Sequence, residues 1–241
     1  MSGTFWLTAR RLKVFVRQPA FLFIMLVQPA IWLFLFGNLF RRVVELPGFG
    51  TGSYLDYLVP GVVVMSAVSS NMWSGMGVLE EIDRGTMNRF LITPVNRAAI
   101  LNAAVVEQAI STTVQSLIIV LLGMAAGASF PGVLLIVASV LLGTVFSAFS
   151  NTIGMLVRQR ETLIGLNTLL LLPLTFLSSA FIAKDLMPGW MQAVAAGNPV
   201  NWALEAGRES PDLIAGGGLL ALAAAMVWLS TRTFRTYQKA V

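Results

Sequence analysis

Cysteine and histidine are both missing from this chain of 241 residues, and only 11 % of the residues carry charge. Without cysteine there is neither a disulfide framework nor a thiolate metal site. Without histidine there is no imidazole ligand, no Ser-His pair and no side chain that titrates near neutral pH by default. An intramembrane enzyme would need a Ser-Lys or a carboxylate pair, and a single carboxylate, Glu107, lies deep in an apolar stretch. No enzyme and no metal site are therefore expected. The phosphate-cradling pattern G-x-x-x-x-G-K-[ST] is also absent, so any use of ATP has to come from another chain. What the chain has instead is apolar residues, at 56 %, above the ~45–50 % of soluble domains.

A hydrocarbon core of ~30 Å takes about 20 apolar residues as helix. Residues 19–40 supply a first span with an internal Gln28-Pro29. Residues 57–79 are uncharged and supply a second. The GASFPG turn at 127–132 divides residues 98–157 into a third span, about 98–126, and a fourth, 133–157. A fifth covers 162–183 with Pro173 inside it, and a sixth covers 213–231. Between these last two, Pro188-Gly189 and Gly197-Asn198-Pro199 cut residues 184–212 into pieces too short to cross. They read as short helices dipping into one face, with Asn198 as N-cap and Pro199 at the first helical position. The expected fold is thus all-α integral membrane with six transmembrane helices. Ahead of them, residues 2–18 set Phe5, Leu12, Phe15 and Val16 apart from Arg10, Arg11, Lys13 and Arg17. That pattern fits a basic amphipathic helix lying in the membrane interface, or only a charged anchor flank.

Six spans put both termini on one side. That side would hold twelve of the sixteen Lys and Arg residues, and the other only Arg41, Arg42, Lys184 and Arg208. The positive-inside rule makes the richer side cytoplasmic. Both termini and the loop 80–97 are then cytoplasmic, and the broken segment 184–212 is outside.

The loop between the second and third spans concentrates the charge of the interior: Glu80, Glu81, Asp83, Arg84, Arg89 and Arg97. Gly85 interrupts the helix before it, and Thr86 is placed to cap a short helix with Met87, Phe90 and Leu91 on one face. Thr93-Pro94 then opens the next helix. A short helix held crosswise between two spans transmits force, whereas a solvated loop whose charges fix topology is the plainer reading. In the interior, Glu107 stands about nine residues into the third span, where a carboxylate faces protein or water. An interhelical hydrogen bond and a conformational or substrate-path role are both open, with Asn102, Gln108, Gln115, Asn151 and Asn167 as polar partners. Asn71, Trp73 and the pair Gly75 and Gly77 in the second span suit close helix packing. Trp190 and Trp202 suit the outer aromatic belt.

The run GTMNRFLITPVNR, 85–97, resembles the loop of ABC-2 type export permeases, and NPVNWALEAGR, 198–208, is similar to their Asn-Pro-apolar stretch before the last span. Asn88 stands where that family commonly has an acidic residue. The resemblance covers essentially the whole chain, a single domain of the ABC-2 or type V exporter kind, as in daunorubicin-resistance permeases and polysaccharide exporters. It implies two such subunits, a homodimer or a pair with a paralogue, with two ABC ATPase subunits beneath them that bind ATP and magnesium. No cofactor is implied for this chain and no nucleic acid as partner. It implies a coupling helix at 84–92, with Glu80, Glu81, Asp83, Arg84, Gly85, Thr86, Met87, Arg89 and Phe90 facing the ATPase. It implies an external gate over 184–212 with Asn198, Pro199 and Trp202. The activity implied is ATP-driven export of a hydrophobic or amphipathic drug, lipid or glycolipid across the plasma membrane, as in antibiotic efflux. The alternative that stays open is an ion-gradient-driven secondary transporter, although no internal repeat is visible.

Overall fold

The computed structural model describes residues 19–40, 42, 53–84, 97–129, 132–182, 184–208 and 212–239. The 2–18 helix and most of the expected coupling helix, including Gly85, Thr86, Met87, Arg89 and Phe90, lie outside the described residues. Within them the chain is helical, without strands: α1 (Pro19–Leu39), α2 (Tyr54–Met72), α3 (Ser74–Asp83), α4 (Arg97–Ala125), α5 (Val133–Val157), α6 (Arg160–Phe176), a 3-10 turn (Lys184–Leu186), α7 (Gly189–Ala196), α8 (Pro199–Gly207) and α9 (Leu213–Lys239). Among the described residues four stretches are long and apolar enough to cross a bilayer: Tyr54–Asp83, which is α2 and α3 together, Ala104–Ala125, Val133–Val157 and Leu213–Phe234. Leu26–Leu39 is a shorter apolar helix within α1, and α6 has 17 residues.

Helix α5 is the centre of the bundle and packs against α2, α3, α4, α8 and α9. Its sequence explains why. Buried Ala138, Ser139, Gly143, Ser147, Ala148, Ser150 and Gly154 are small, so neighbouring backbones approach closely on several sides. Several of its hydroxyls, as in Ser139 to the Leu135 carbonyl and Thr152 to the Ala148 carbonyl, bond back to their own helix and present no unpaired donor. The turn before α5 uses Gly127 and Gly132 at positive φ, where a side chain would be strained. Its other end is closed by Arg158 in the left-handed conformation, whose N–H reaches the Gly154 carbonyl. At the opposite end of the bundle, Asp56 Oδ1 at the start of α2 accepts the Ser129 N–H at 2.6 Å.

The second span departs from the expected unbroken 57–79. It starts at Tyr54, where the Ser53 hydroxyl accepts the Leu55 N–H, and its hydrogen-bond ladder is interrupted at Trp73. There the Met76 N–H turns to the Trp73 carbonyl, three residues back, and the Met72 carbonyl is released. That carbonyl accepts from Asn167 Nδ2 of α6 at 2.6 Å and from the Ser150 hydroxyl of α5. Ser150 Oγ in turn accepts the Gly75 N–H at 3.0 Å. A backbone group left unpaired in hydrocarbon costs several kcal/mol, so an interruption there persists only where side chains replace the missing bonds. Ser150 replaces two. The helix then runs on to Asp83, past the expected end of the span.

The helix expected as a fifth span over 162–183 stops earlier, because α6 ends at Phe176. Pro173 removes one donor from its last turn, and Leu177 leaves helical geometry with ψ 35°. From Leu177 the chain turns towards the short helices α7 and α8.

A polar seam, a cavity and a stitched segment after α6

Helix α4 carries Glu107, Ser111, Thr112, Gln115 and Ser116 buried on one face, at spacings of four, five, eight and nine residues. The Ser111 hydroxyl points to Glu107 Oε1 at 3.4 Å, and Gln108 Nε2 lies 3.5 Å from Oε2. Further along the stripe, Thr112 Oγ accepts from Asn71 Nδ2 of α2 at 2.8 Å, and Gln115 Oε1 accepts from Ser70 at 3.1 Å. Asn71 is fully buried and also donates to the Ala67 carbonyl. It fits because Gly143 of α5 faces it: a Cβ there would stand 2.7 Å from Asn71 Nδ2. Beside this junction Ser74 donates to Asn151 Oδ1 at 2.9 Å and accepts from Ser147 at 3.0 Å. A polar seam therefore runs through α2, α3, α4, α5 and α6. Of the polar residues associated with Glu107 by sequence, the structure places Gln108 beside it, Gln115 on Ser70, Asn151 on Ser74 and Asn167 on Met72. The Asn102 side chain is outside the described residues.

At the end of α3, Arg84 pairs with Glu80 one turn back, and Asp83 Oδ2 accepts from Arg160 Nη2 at 2.7 Å. The second pair ties the entry of the central loop to the start of α6. Both pairs are half exposed, so each is worth at most about 1 kcal/mol.

Between α1, α2 and α6 lies a cavity of about 150 Å³. Trp32 and Phe176 form aromatic walls, and Gln28, Ser66, Ser69 and Thr175 bring polar groups to its rim. Trp32 and Phe36 of α1 and Phe40, just past its end, recur one turn apart and stack, with ring centroids 4.6 and 5.4 Å apart. Phe181 packs on Phe36 at 5.4 Å and on Phe176 at 6.0 Å, so the ladder continues beyond the end of α6. An aromatic-walled space with hydroxyl and amide groups at its edge suits a flat amphipathic molecule.

The short helices after α6 are held by two asparagines. Asn198 Oδ1 accepts the Val200 N–H and caps α8, with Pro199 at the first helical position. Its Nδ2 donates to the carbonyls of Leu174 and Leu177 at 2.7 and 2.9 Å, which α6 leaves unpaired as it ends. Asn201 Oδ1 accepts from Ser179 N and Oγ, at 3.2 and 2.6 Å. The Ser179 carbonyl then receives Tyr57 OH at 2.5 Å and Arg208 Nη2 at 2.8 Å, and the guanidinium lies over the Tyr57 ring at 4.3 Å. Gly61 of α2 admits the Ala180 carbonyl, 2.3 Å from where a Cβ would sit. Trp202 donates to the Ala196 carbonyl and sets its ring against Gly218 of α9. Lys184 and Glu205 close the segment with an ion pair at 2.9 Å.

Tyr57, Ser179, Asn201 and Arg208 form a cluster that sequence reasoning does not single out. Asn201 lies in the same NPVNW run as Asn198, a weak signal. Ser179 and Tyr57 are 122 residues apart, and neither stands in a motif.

Residues 2–210 match the family model described as ABC-2 type transporter. The chain belongs to the ABC-2 type transporter family. It is 28 % identical over 214 residues to a daunorubicin resistance ABC transporter permease protein of Streptomyces coeruleorubidus, covering 87 % of this chain and 75 % of that one. It is 30 % identical over 195 residues to ycf38 of Porphyra purpurea, which is named as a transport permease, covering 78 % and 67 %. A protein of Mycobacterium tuberculosis named as a doxorubicin resistance ABC transporter permease is 26 % identical over 161 residues, covering 65 % and 58 %. These relatives of the ABC-2 chain carry the names of transporter permeases, not of enzymes.

Proposed function

We propose that this ABC-2 protein is the membrane-spanning permease subunit of an exporter driven by a separate ATPase. The observation that carries the reading is the family match over residues 2–210, with drug-resistance permeases among the relatives. The cavity between α1, α2 and α6 supports a cargo that is hydrophobic or amphipathic, a drug, a lipid or a glycolipid. In this reading α1, α2 with α3, α4, α5, α6 and α9 are six spans, and both termini face the cytoplasm of a cell whose plasma membrane holds the protein. The segment 184–212, with Asn198, Pro199 and Trp202, covers the outer exit. The loop 80–97 meets the ATPase through Glu80, Glu81, Asp83, Arg84, Gly85, Thr86, Met87, Arg89 and Phe90. Two ATPase copies bind ATP and magnesium, and a second permease, a copy or a paralogue, completes the pore. Work enters only as a difference in the affinity of the two permease conformations for ATP-bound and free ATPase.

Extraction of the tagged chain in mild detergent, followed by mass spectrometry of the co-purifying proteins, tests this directly. One nucleotide-binding subunit per permease is expected, and replacing Gly85 and Arg89 should abolish ATP-driven export while leaving insertion intact. Purified permease that transports in an ion gradient with no ATPase present would overturn the reading in favour of a secondary transporter.

A further inference from the structure

The interruption at Trp73 is held by groups outside its own helix. The local sequence Asn71-Met72-Trp73-Ser74-Gly75-Met76 contains no proline, and nothing in it forbids a regular helix. A continuous ladder would give the Met72 carbonyl to the Met76 N–H and the Asn71 carbonyl to the Gly75 N–H. Instead the Asn71 carbonyl takes the Trp73 N–H, Met76 turns to Trp73, and the two groups set free are held by Ser150 and Asn167. Ser150 departs from the habit of α5, whose Ser139, Thr144 and Thr152 bond back to their own helix. Its hydroxyl reaches across to another backbone.

The seam around this interruption is incompletely paired. Among the described residues five buried side-chain polar atoms lack a hydrogen-bond partner, and three of them are Asn71 Oδ1, Asn151 Nδ2 and Asn167 Oδ1. Buried polar groups are nearly always satisfied in a settled arrangement. Three of the five stand around one interruption, so spare donors and acceptors lie beside the released backbone groups.

We infer that the second span is a two-state element: an interrupted form locked by Ser150 and Asn167, and a continuous form in which the helix satisfies its own backbone. In the continuous form Ser150 falls back to the Phe146 carbonyl, as Ser139, Thr144 and Thr152 do to the carbonyls four residues before them. Helix α3 leads directly into the 80–97 loop, and in the interrupted form the second span is fastened to α6 twice, by Asn167 at Met72, the last residue of α2, and by Arg160 at Asp83, the last of α3. Helix α6 carries Thr175 and Phe176 of the cavity wall. Switching the ladder thus engages or releases the wall of the cavity from the helix that the ATPase would push. Ser150 and Asn167 are positioning residues for export. The inference rests on the motor-driven reading above and adds to it the element whose equilibrium both ends bias.

The absence of cysteine makes the test clean. Gly77 on α3 and Gly165 on α6 are exposed, and a Cβ at either meets nothing within 4 Å. Both are changed to cysteine and spin-labelled in the permease with its co-purified ATPase, in nanodiscs, and the distance between labels is measured without nucleotide, with ATP–magnesium and with a non-hydrolysable analogue. Expected is a distance that changes with nucleotide in the otherwise unsubstituted chain. In Ser150→Ala combined with Asn167→Leu it is expected to stay fixed at one value, with export reduced about tenfold or more while ATP hydrolysis continues. Ser150→Ala alone removes a single oxygen and serves if the double variant fails to insert; it should shift the distance populations toward that fixed value. Nucleotide-dependent distances and export identical in the substituted and unsubstituted chains would overturn the inference and leave the motor-driven reading standing. A complex without bound ATPase or nucleotide response in any form would overturn both.

Discussion

Gly75 and Gly77 stand two residues apart on α3, and alanine at each is expected to move stability in opposite directions. At Gly75 a Cβ would lie 2.3 Å from the Ser150 carbonyl oxygen, 2.7 Å from its hydroxyl and 2.8 Å from its carbonyl carbon. Two of these are backbone atoms of α5, so no rotamer change relieves them. Ordinary contact needs ~3.5 Å, and α3 must part from α5 by about 1 Å. Overpacking of this kind costs about 1–3 kcal/mol. The displacement also strains the Gly75 N–H bond to Ser150, worth about 1 kcal/mol. Against this stands a gain of at most about 1 kcal/mol from replacing a helical glycine. The net expectation for Gly75→Ala is a loss of about 2 kcal/mol. At Gly77 no atom lies within 4 Å of the added Cβ, so Gly77→Ala keeps only the gain, up to about 1 kcal/mol. Equilibrium unfolding in mixed micelles of increasing SDS fraction, followed by circular dichroism and tryptophan fluorescence, gives both values in one series. Two substitutions of the same sign, or Gly75→Ala as stable as the unsubstituted chain, would refute the close crossing of α3 and α5.

Three further expectations use the same measurement with an activity assay beside it. Asn198→Ala removes the cap of α8, worth ~1 kcal/mol, and leaves the Leu174 and Leu177 carbonyls without their donor; a loss of about 2–4 kcal/mol is expected, with Asn198→Ser intermediate because it keeps an uncharged capping oxygen. Equal stability of all three forms would show that the two carbonyl bonds carry nothing. Asp83→Asn breaks a half-exposed ion pair and should cost less than ~1 kcal/mol, fading further in high salt; a larger loss that ignores salt would mean that the pair is buried in the assembled transporter. Glu107→Gln keeps the volume and the contact with Ser111 while removing the charge, and is expected to lower export with insertion and assembly intact. Unchanged export assigns Glu107 to packing.

Much of the helical plan is legible in the sequence, for local reasons. The turn at 127–132 declares itself through Gly127, Pro131 and Gly132, and Asn198-Pro199 announces a helix start because cap and first-turn chemistry act within three residues. The interruption at Trp73 is invisible, since the groups that hold it come from Ser150 and Asn167, 78 and 95 residues from Met72. Gly75 and Gly77 look alike on paper, yet only Gly75 meets a partner backbone, because residues two apart on a helix face different ways. The early end of α6 was hidden for the same reason: Pro173 weakens the last turn, but the side chain that takes over its carbonyls is Asn198. The polar stripe of α4 could be read from spacing once Glu107 was noticed. Its pairing with Ser70 and Asn71 could not.

Asn198 has one further consequence. A single carboxamide closes the last turn of α6 with its amino group and opens the first turn of α8 with its oxygen. Neither turn can fray without stripping the other of a partner, so the two should melt, and exchange their amide protons, as one cooperative unit. Thr175 and Phe176 belong to that turn of α6 and also line the cavity. A molecule that settles there would therefore slow amide exchange in both turns together, and one that leaves would restore it.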